Sequence, residues 1–178
     1  CVVYCPNYFK PGTREVKDSL TNVEETGEFV YNMCTADLLD QMVTTSKHSP
    51  RNYDEMAEAG LAAAPCLKVK PPRIKASPIS MECKYLQTVN LPTPPDGSRA
   101  AMVIGHVTQI HIADEMITDE GLINMKKLRP VGRLGYYDYT IIEPENIFEV
   151  KTPDDDRFSG DNSKGWHETS APVEAVKE

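Results

Sequence analysis

Apolar and polar residues alternate most regularly in two stretches near the middle of the chain. From Ile79 to Leu91, the side chains of Ile79, Met81, Cys83, Tyr85, Val89 and Leu91 fall on one face, opposite Ser80, Glu82, Lys84, Thr88 and Asn90. A period of two marks a strand with one side on a core, so Glu82 is expected to face solvent. Met102 to Ala113 repeats the pattern, and Pro92-Thr93-Pro94-Pro95-Asp96-Gly97 lies between as a turn. The two strands are therefore expected to pair as an antiparallel hairpin. On the second strand His106 shares a face with Met102, Ile104, Ile110 and Ile112, and His111 points to the other, so the two histidines cannot act as one pair. A histidine on such a face is either a satisfied core residue or a ligand-facing one.

Elsewhere the pattern predicts shorter elements. The chain opens on Cys1-Val2-Val3-Tyr4-Cys5, which reads as the inside of a strand, and a segment upstream is expected to be missing. Val16, Leu20 and Val23 keep helical spacing up to Gly27, and Glu28 to Cys34 alternates as a strand. Thr35 is placed to cap a helix running through Met42. Tyr53 to Leu61 reads as a short helix, Leu67 to Val69 as a brief extended piece among prolines, Met116 to Leu128 as a helical turn, and Tyr137 to Ile142 as a last strand. From Pro153 onward the chain is acidic with scattered apolar residues. The expected organisation is one domain over 1–150 and an acidic tail over 151–178.

Composition narrows the classes of function. With 19 basic against 27 acidic residues the net charge is −8, which argues against a surface built to coat a polyanion. No apolar run approaches the roughly 20 residues of a membrane helix, and no basic region followed by an apolar core marks a secretory signal within residues 1–178, so the expectation is a cytoplasmic protein without nucleic-acid or membrane partners. The five cysteines are scattered and contain no CxxC pair, which suggests packed, reduced thiols and neither a zinc site nor a disulfide framework. No Ser-His-Asp or paired-carboxylate constellation supports a hydrolase.

The candidate chemistry lies in short polar clusters, each with a plainer alternative. Lys17, Asp18 and Ser19 stand at a helix start, where amides, a cation and a hydroxyl suit a phosphate. The same residues would also serve as an ordinary cap beside a solvated lysine. Asn32 ends an apolar strand, and its amide could bond a ligand's polar edge or only neighbouring backbone. Ser46, with Lys47, could join a phosphate cluster or sit in an exposed loop. Arg73 could grip a phosphate or carboxylate with two parallel bonds, or form a surface ion pair. Gly132-Arg133-Leu134-Gly135-Tyr136-Tyr137 is not placed between strand and helix as a phosphate loop requires, and reads as a flexible approach to the last strand.

Three ordered stretches carry a resemblance to a known family. Lys17-Asp18-Ser19-Leu20-Thr21-Asn22 runs on to Gly27-Glu28-Phe29-Val30-Tyr31-Asn32. Ala59-Gly60-Leu61 leads through Pro72-Arg73-Ile74-Lys75-Ala76-Ser77-Pro78 to Glu82-Cys83-Lys84. Val103-Ile104-Gly105 and Ile110-His111-Ile112 are followed by Leu128-Arg129-Pro130-Val131-Gly132-Arg133-Leu134-Gly135. Together they resemble the flavin-reductase-like FMN-binding family that includes flavoredoxin and the reductase components of two-component monooxygenases. Ser19 stands where that family commonly has Thr, His106 where an acidic residue is frequent, and Tyr136 where a second Gly is common. The resemblance implies a mainly β, α+β fold, an FMN-binding split β-barrel with short peripheral helices. It implies FMN as cofactor, NAD(P)H as co-substrate, a small-molecule electron acceptor and a homodimer. The cofactor-binding residues it implies are Lys17, Asp18, Ser19, Asn32, Ser46, Arg73, His106, Arg133 and Tyr136. The alternative is an FMN- or ligand-binding module without reductase activity.

Overall fold

The computed structural model describes residues 1–150 apart from Pro11, Thr93 and Asp96, so the expected tail at 151–178 lies outside the described residues. The architecture below is that of the compact unit Cys1–Ile147. Its strands in chain order are β1 (Val2–Tyr4), β2 (Glu28–Asn32), β3 (Ala63–Ala64), β4 (Arg73–Ile74), β5 (Ile79–Asn90), β6 (Ala101–Ile112), β7 (Val131–Gly135) and β8 (Asp138–Ile141). The helices are α1 (Asp18–Thr26), α2 (Leu39–Thr44), α3 (Glu55–Glu58) and α4 (Met125–Leu128). A four-stranded sheet in the order β1-β6-β5-β2 forms the centre, and β3-β4 and β7-β8 are separate two-stranded ribbons. The sheets do not close on one another into a single ladder.

The alternating stretches form the expected hairpin: β5 and β6 pair antiparallel from Ile79 opposite Ile112 to Asn90 opposite Ala101. Register shifts between Glu82 and Cys83 and between Tyr85 and Gln87 bend the ribbon. Near its start β5 is covered on both faces, since Ile79, Ser80, Glu82 and Cys83 are all buried. Glu82 is thus not the solvent-facing residue its parity suggests; it is wholly buried. The alternation places it on the polar face, but the segment 67–70 lies over that face and takes its hydrogen bonds.

Helix α1 packs on the central sheet through Leu20 and Val23, which form a core with Ala101 and Val103 of β6. Tyr4, Phe29 and Tyr85 pack around it, Tyr4 and Phe29 meeting edge to face with ring centroids 5.4 Å apart. Gly105 lets the Phe29 ring lie against β6: a Cβ there would meet the ring at 2.4 Å.

Several expected elements differ. The helix from Thr35 to Met42 is a 3-10 turn at Ala36–Leu38 followed by α2, and Thr35 makes no side-chain cap. Its backbone is instead drawn into a bridge with Pro130, and the Ala36 amide donates to Arg129. Leu67 to Val69 is not a strand; the ribbon there is Ala63–Ala64 against Arg73–Ile74. Gly132 to Gly135 is no flexible approach but part of β7, which turns into β8 through Gly135 (φ 143°) and Tyr136 (φ 47°). The cysteines are free, as expected, but only Cys83 is buried, with Cys1 and Cys5 exposed. His106 is exposed, not packed in a core.

Candidate functional site

The start of α1 is anchored by backbone bonds, with the Lys17 amide donating to Tyr8 and the amides of Leu20 and Thr21 donating to the Lys17 carbonyl. Lys17 itself occupies the N-cap position and gives no side-chain cap. First-turn amides have no carbonyl partner within a helix. Lys17, Asp18 and Ser19 at this helix start line a cavity of about 230 Å³. Its lining brings together Lys17, Asp18, Ser19 and Ser46, and adds Lys10, Thr45, Lys47, His48, Ser49 and Glu55. The lining holds three lysines, the carboxylates of Asp18 and Glu55, and four hydroxyls, of which Thr45 and Ser46 donate to the Met42 and Val43 carbonyls at 2.9 and 2.6 Å. Lys17 and the Ser19 hydroxyl at the helix start are therefore the groups that suit an anion.

The charges in this cavity are ordered by one another. Lys10 Nζ lies 3.0 Å from Asp18, 3.6 Å from Glu15 and 3.4 Å from the Ser49 carbonyl oxygen. The Asp18 hydrogen bond holds the Lys10 ammonium above its usual range. Asp18 also faces Arg51 at 3.7 Å, so its carboxylate holds two cations. A carboxylate repels a phosphate, and Asp18 contributes through the cations it places. Lys47 pairs with Glu58 at 2.6 Å, and that bond raises its pKa as well.

Ser19 also lines a second space, a largely apolar groove of about 720 Å³ walled by Val2, Tyr4, Phe29, Val30, Pro71, Pro72 and Ile74. Asn32 lies on the same groove. Its Oδ1 accepts from the Ile74 amide at 2.9 Å and the Ser80 hydroxyl at 3.0 Å, so that oxygen is committed within the protein. A compartment of about 80 Å³ lies along α2, sharing Thr45 with the polar cavity and Asn32 and Ile74 with the groove. Gln41 lines it, and the Gln41 Oε1 atom is buried without a hydrogen-bond partner.

The remaining candidates stand outside the described lining of the polar cavity. Arg73 Nε donates to the Pro65 carbonyl at 3.3 Å, across the β3-β4 ribbon. His106 sits opposite Lys84 on the central hairpin. Arg133 donates to the Tyr136 carbonyl at 2.6 Å and lies over the Tyr139 ring, and Tyr136 projects from the hairpin tip, 91% exposed. Lys10, Thr45 and Ser49 join the cavity unannounced, because they lie in loops or at a helix end where spacing carries no signal. No cluster among the described residues could hold a metal ion.

A flavin reductase like domain matches residues 2–138. An uncharacterised protein of Aquifex aeolicus is 33% identical over 124 residues, covering 68% of this chain and 60% of that protein. The chain thus spans about three fifths of the length of its relatives. Among solved structures, nitrilotriacetate monooxygenase component B from Bacillus cereus superposes with a TM-score of 0.73 at 26% identity, over 83% of this chain and 70% of that one. A protein with a split barrel domain from Shewanella frigidimarina superposes with a TM-score of 0.63 at 18% identity, over 76% of this chain and 64% of that one. The open arrangement of short sheets around one long hairpin is therefore that of a split barrel.

Proposed function

Since this chain belongs to the flavin reductase-like family, we propose that it is part of an FMN-binding oxidoreductase that passes the electron pair of NAD(P)H to flavin or another small acceptor in the cytoplasm. The observation that carries the reading is the start of α1, without a side-chain cap, where Lys17 and Ser19 line a polar cavity that adjoins an apolar groove at Ser19. A phosphate monoester fits the first space and a planar apolar ring the second. Lys17 and Ser19 would hold the phosphate, with Lys10 and Lys47 adding charge and Asp18 orienting Lys10 and Arg51, while the Ser46 hydroxyl, which donates to the Val43 carbonyl, would only border the site.

Bound FMN would supply the hydride and electron transfer itself, and the chain's residues bind, orient and shield it. Asn32 fixes the groove wall through Ile74 and Ser80. Arg73, His106, Arg133 and Tyr136 would serve as outer-wall residues, reaching the cofactor from this subunit or from a homodimer partner. Exposed Val3, Tyr31, Leu134, Tyr136 and Tyr137 supply apolar surface for that second copy.

The test is spectroscopic. Protein supplied with FMN and freed of excess is expected to be yellow and to bleach when NADH or NADPH is added without oxygen. Retained flavin that neither nucleotide bleaches would favour a binding module. Failure to retain or reduce any flavin would contradict the proposal.

A further inference from the structure

Glu82, which the proposed phosphate contacts do not use, gathers a whole turn of backbone. Its Oε1 accepts from the Leu67 amide at 2.7 Å and lies 2.5 Å from His111 Nε2, and its Oε2 accepts from the amides of Lys68 at 2.6 Å and Val69 at 3.0 Å. The next amide, that of Lys70, donates to Glu28 Oε2 at 2.7 Å, and the other oxygen of Glu28 pairs with Lys84. Four successive amides therefore end on two carboxylates of adjoining strands, β2 and β5. The segment belongs to no helix or strand. Its amides need partners from elsewhere, and a ring of successive N–H groups makes a concave seat for an anion.

The chain leaves this seat directly into the groove. Pro71, Pro72 and Ile74 form part of the groove wall. Proline has a fixed φ and no amide to anchor it, so the wall is held at its two ends, by Glu82 and Glu28 before it and by Asn32 on the Ile74 amide after it. We infer that Glu82 is a positioning residue, a carboxylate built into the sheet to hold the Pro71–Ile74 wall at the spacing the flavin ring requires. This rests on the flavin reading of the groove. A carboxylate is suited to the task because it only accepts; an amide of the same shape would turn an NH₂ group toward at least one backbone N–H.

Glu82→Gln tests it, with amide hydrogen exchange and FMN titration on the same protein. The variant is expected to unfold cooperatively and to exchange the amides of Leu67, Lys68 and Val69 about tenfold or more faster, with those of β6 unchanged. FMN should bind about tenfold more weakly, with a shifted visible spectrum of the bound flavin, as the ring's surroundings change. Lys17→Ala should instead weaken FMN without altering exchange at 67–69 or the spectrum. Faster exchange with an unchanged FMN dissociation constant and spectrum would overturn the inference and leave the flavin reading standing. No FMN binding by the unsubstituted protein would overturn the flavin reading and the inference with it. Should Glu82→Gln fail to fold, Glu28→Gln carries the same comparison through the Lys70 amide, since Glu28 accepts that amide and its side chain keeps 12% exposure where Glu82 has none.

Discussion

At the start of α1 a cation, a carboxylate and a hydroxyl follow one another, and the structure gives each a different task. All three line the cavity, but the Asp18 carboxylate is taken up by Lys10 and Arg51. The composition of this cluster was legible in the sequence, but its partners Lys10 and Ser49 were not, because only the fold brings those loops alongside. Glu82 shows the opposite case. The alternation expects it to face solvent and the structure buries it, since a period of two says which side a residue takes and not what covers that side. Burial alone would push the Glu82 carboxyl up, but His111 and the three backbone amides outweigh it and hold the pKa at about 2, below the ordinary 4.5. A depressed folded-state pKa stabilises above the unfolded value, and that contribution is lost as pH falls from about 4.5 toward about 2. The stability gap between the unsubstituted protein and Glu82→Gln, measured by urea unfolding, should therefore be full at pH 6 to 7 and narrow at pH 3. A gap independent of pH would show that the ionised carboxylate is not what holds the segment.

Among elements, the β5-β6 hairpin was legible because two long alternating runs are joined by one turn, and every signal it needs is local. Helix α1 was legible for a similar reason, through Leu20 and Val23 and the stop at Gly27 (φ 71°). What failed depends on distant partners. Thr35 is drawn to Pro130, and the 67–70 segment is shaped by two carboxylates on other strands. Strand β7 was missed because its two glycines read as flexibility, although Gly132 packs on Thr140 and Gly135 opens the turn. Gly105 is where the central sheet depends most on a missing side chain. An added methyl would stand 2.4 Å from the Phe29 ring and 3.2 Å from Cys83 Cβ, so the ring must move out of its contact with Tyr4. Gly105→Ala should cost about 1–3 kcal/mol of unfolding free energy, the usual range for overpacking. Denaturant titration checks this, and an unchanged midpoint would mean the ring relaxes freely.

For the molecule as a whole, the mainly β fold and its family followed from the order of three motifs, which a single motif would not have carried. The cavity and groove did not follow, because both are spaces between segments far apart in sequence. Exposed Leu134, Tyr136 and Tyr137 at the tip of the β7-β8 ribbon, together with Val3 and Tyr31, favour a homodimer. Light scattering at micromolar concentration should return about twice the 19.9 kDa chain mass, and a monodisperse monomer would count against it. Binding of the FMN phosphate at the start of α1 is read from the FMN dissociation constants of the apoprotein, Lys17→Ala and Ser19→Ala. Charge-assisted hydrogen bonds contribute about 1.5–3 kcal/mol each, so Lys17→Ala should loosen FMN by about tenfold to a hundredfold. Ser19→Ala should loosen it less, with both variants folded as the parent. Dissociation constants unchanged in both variants would place the phosphate away from this helix start.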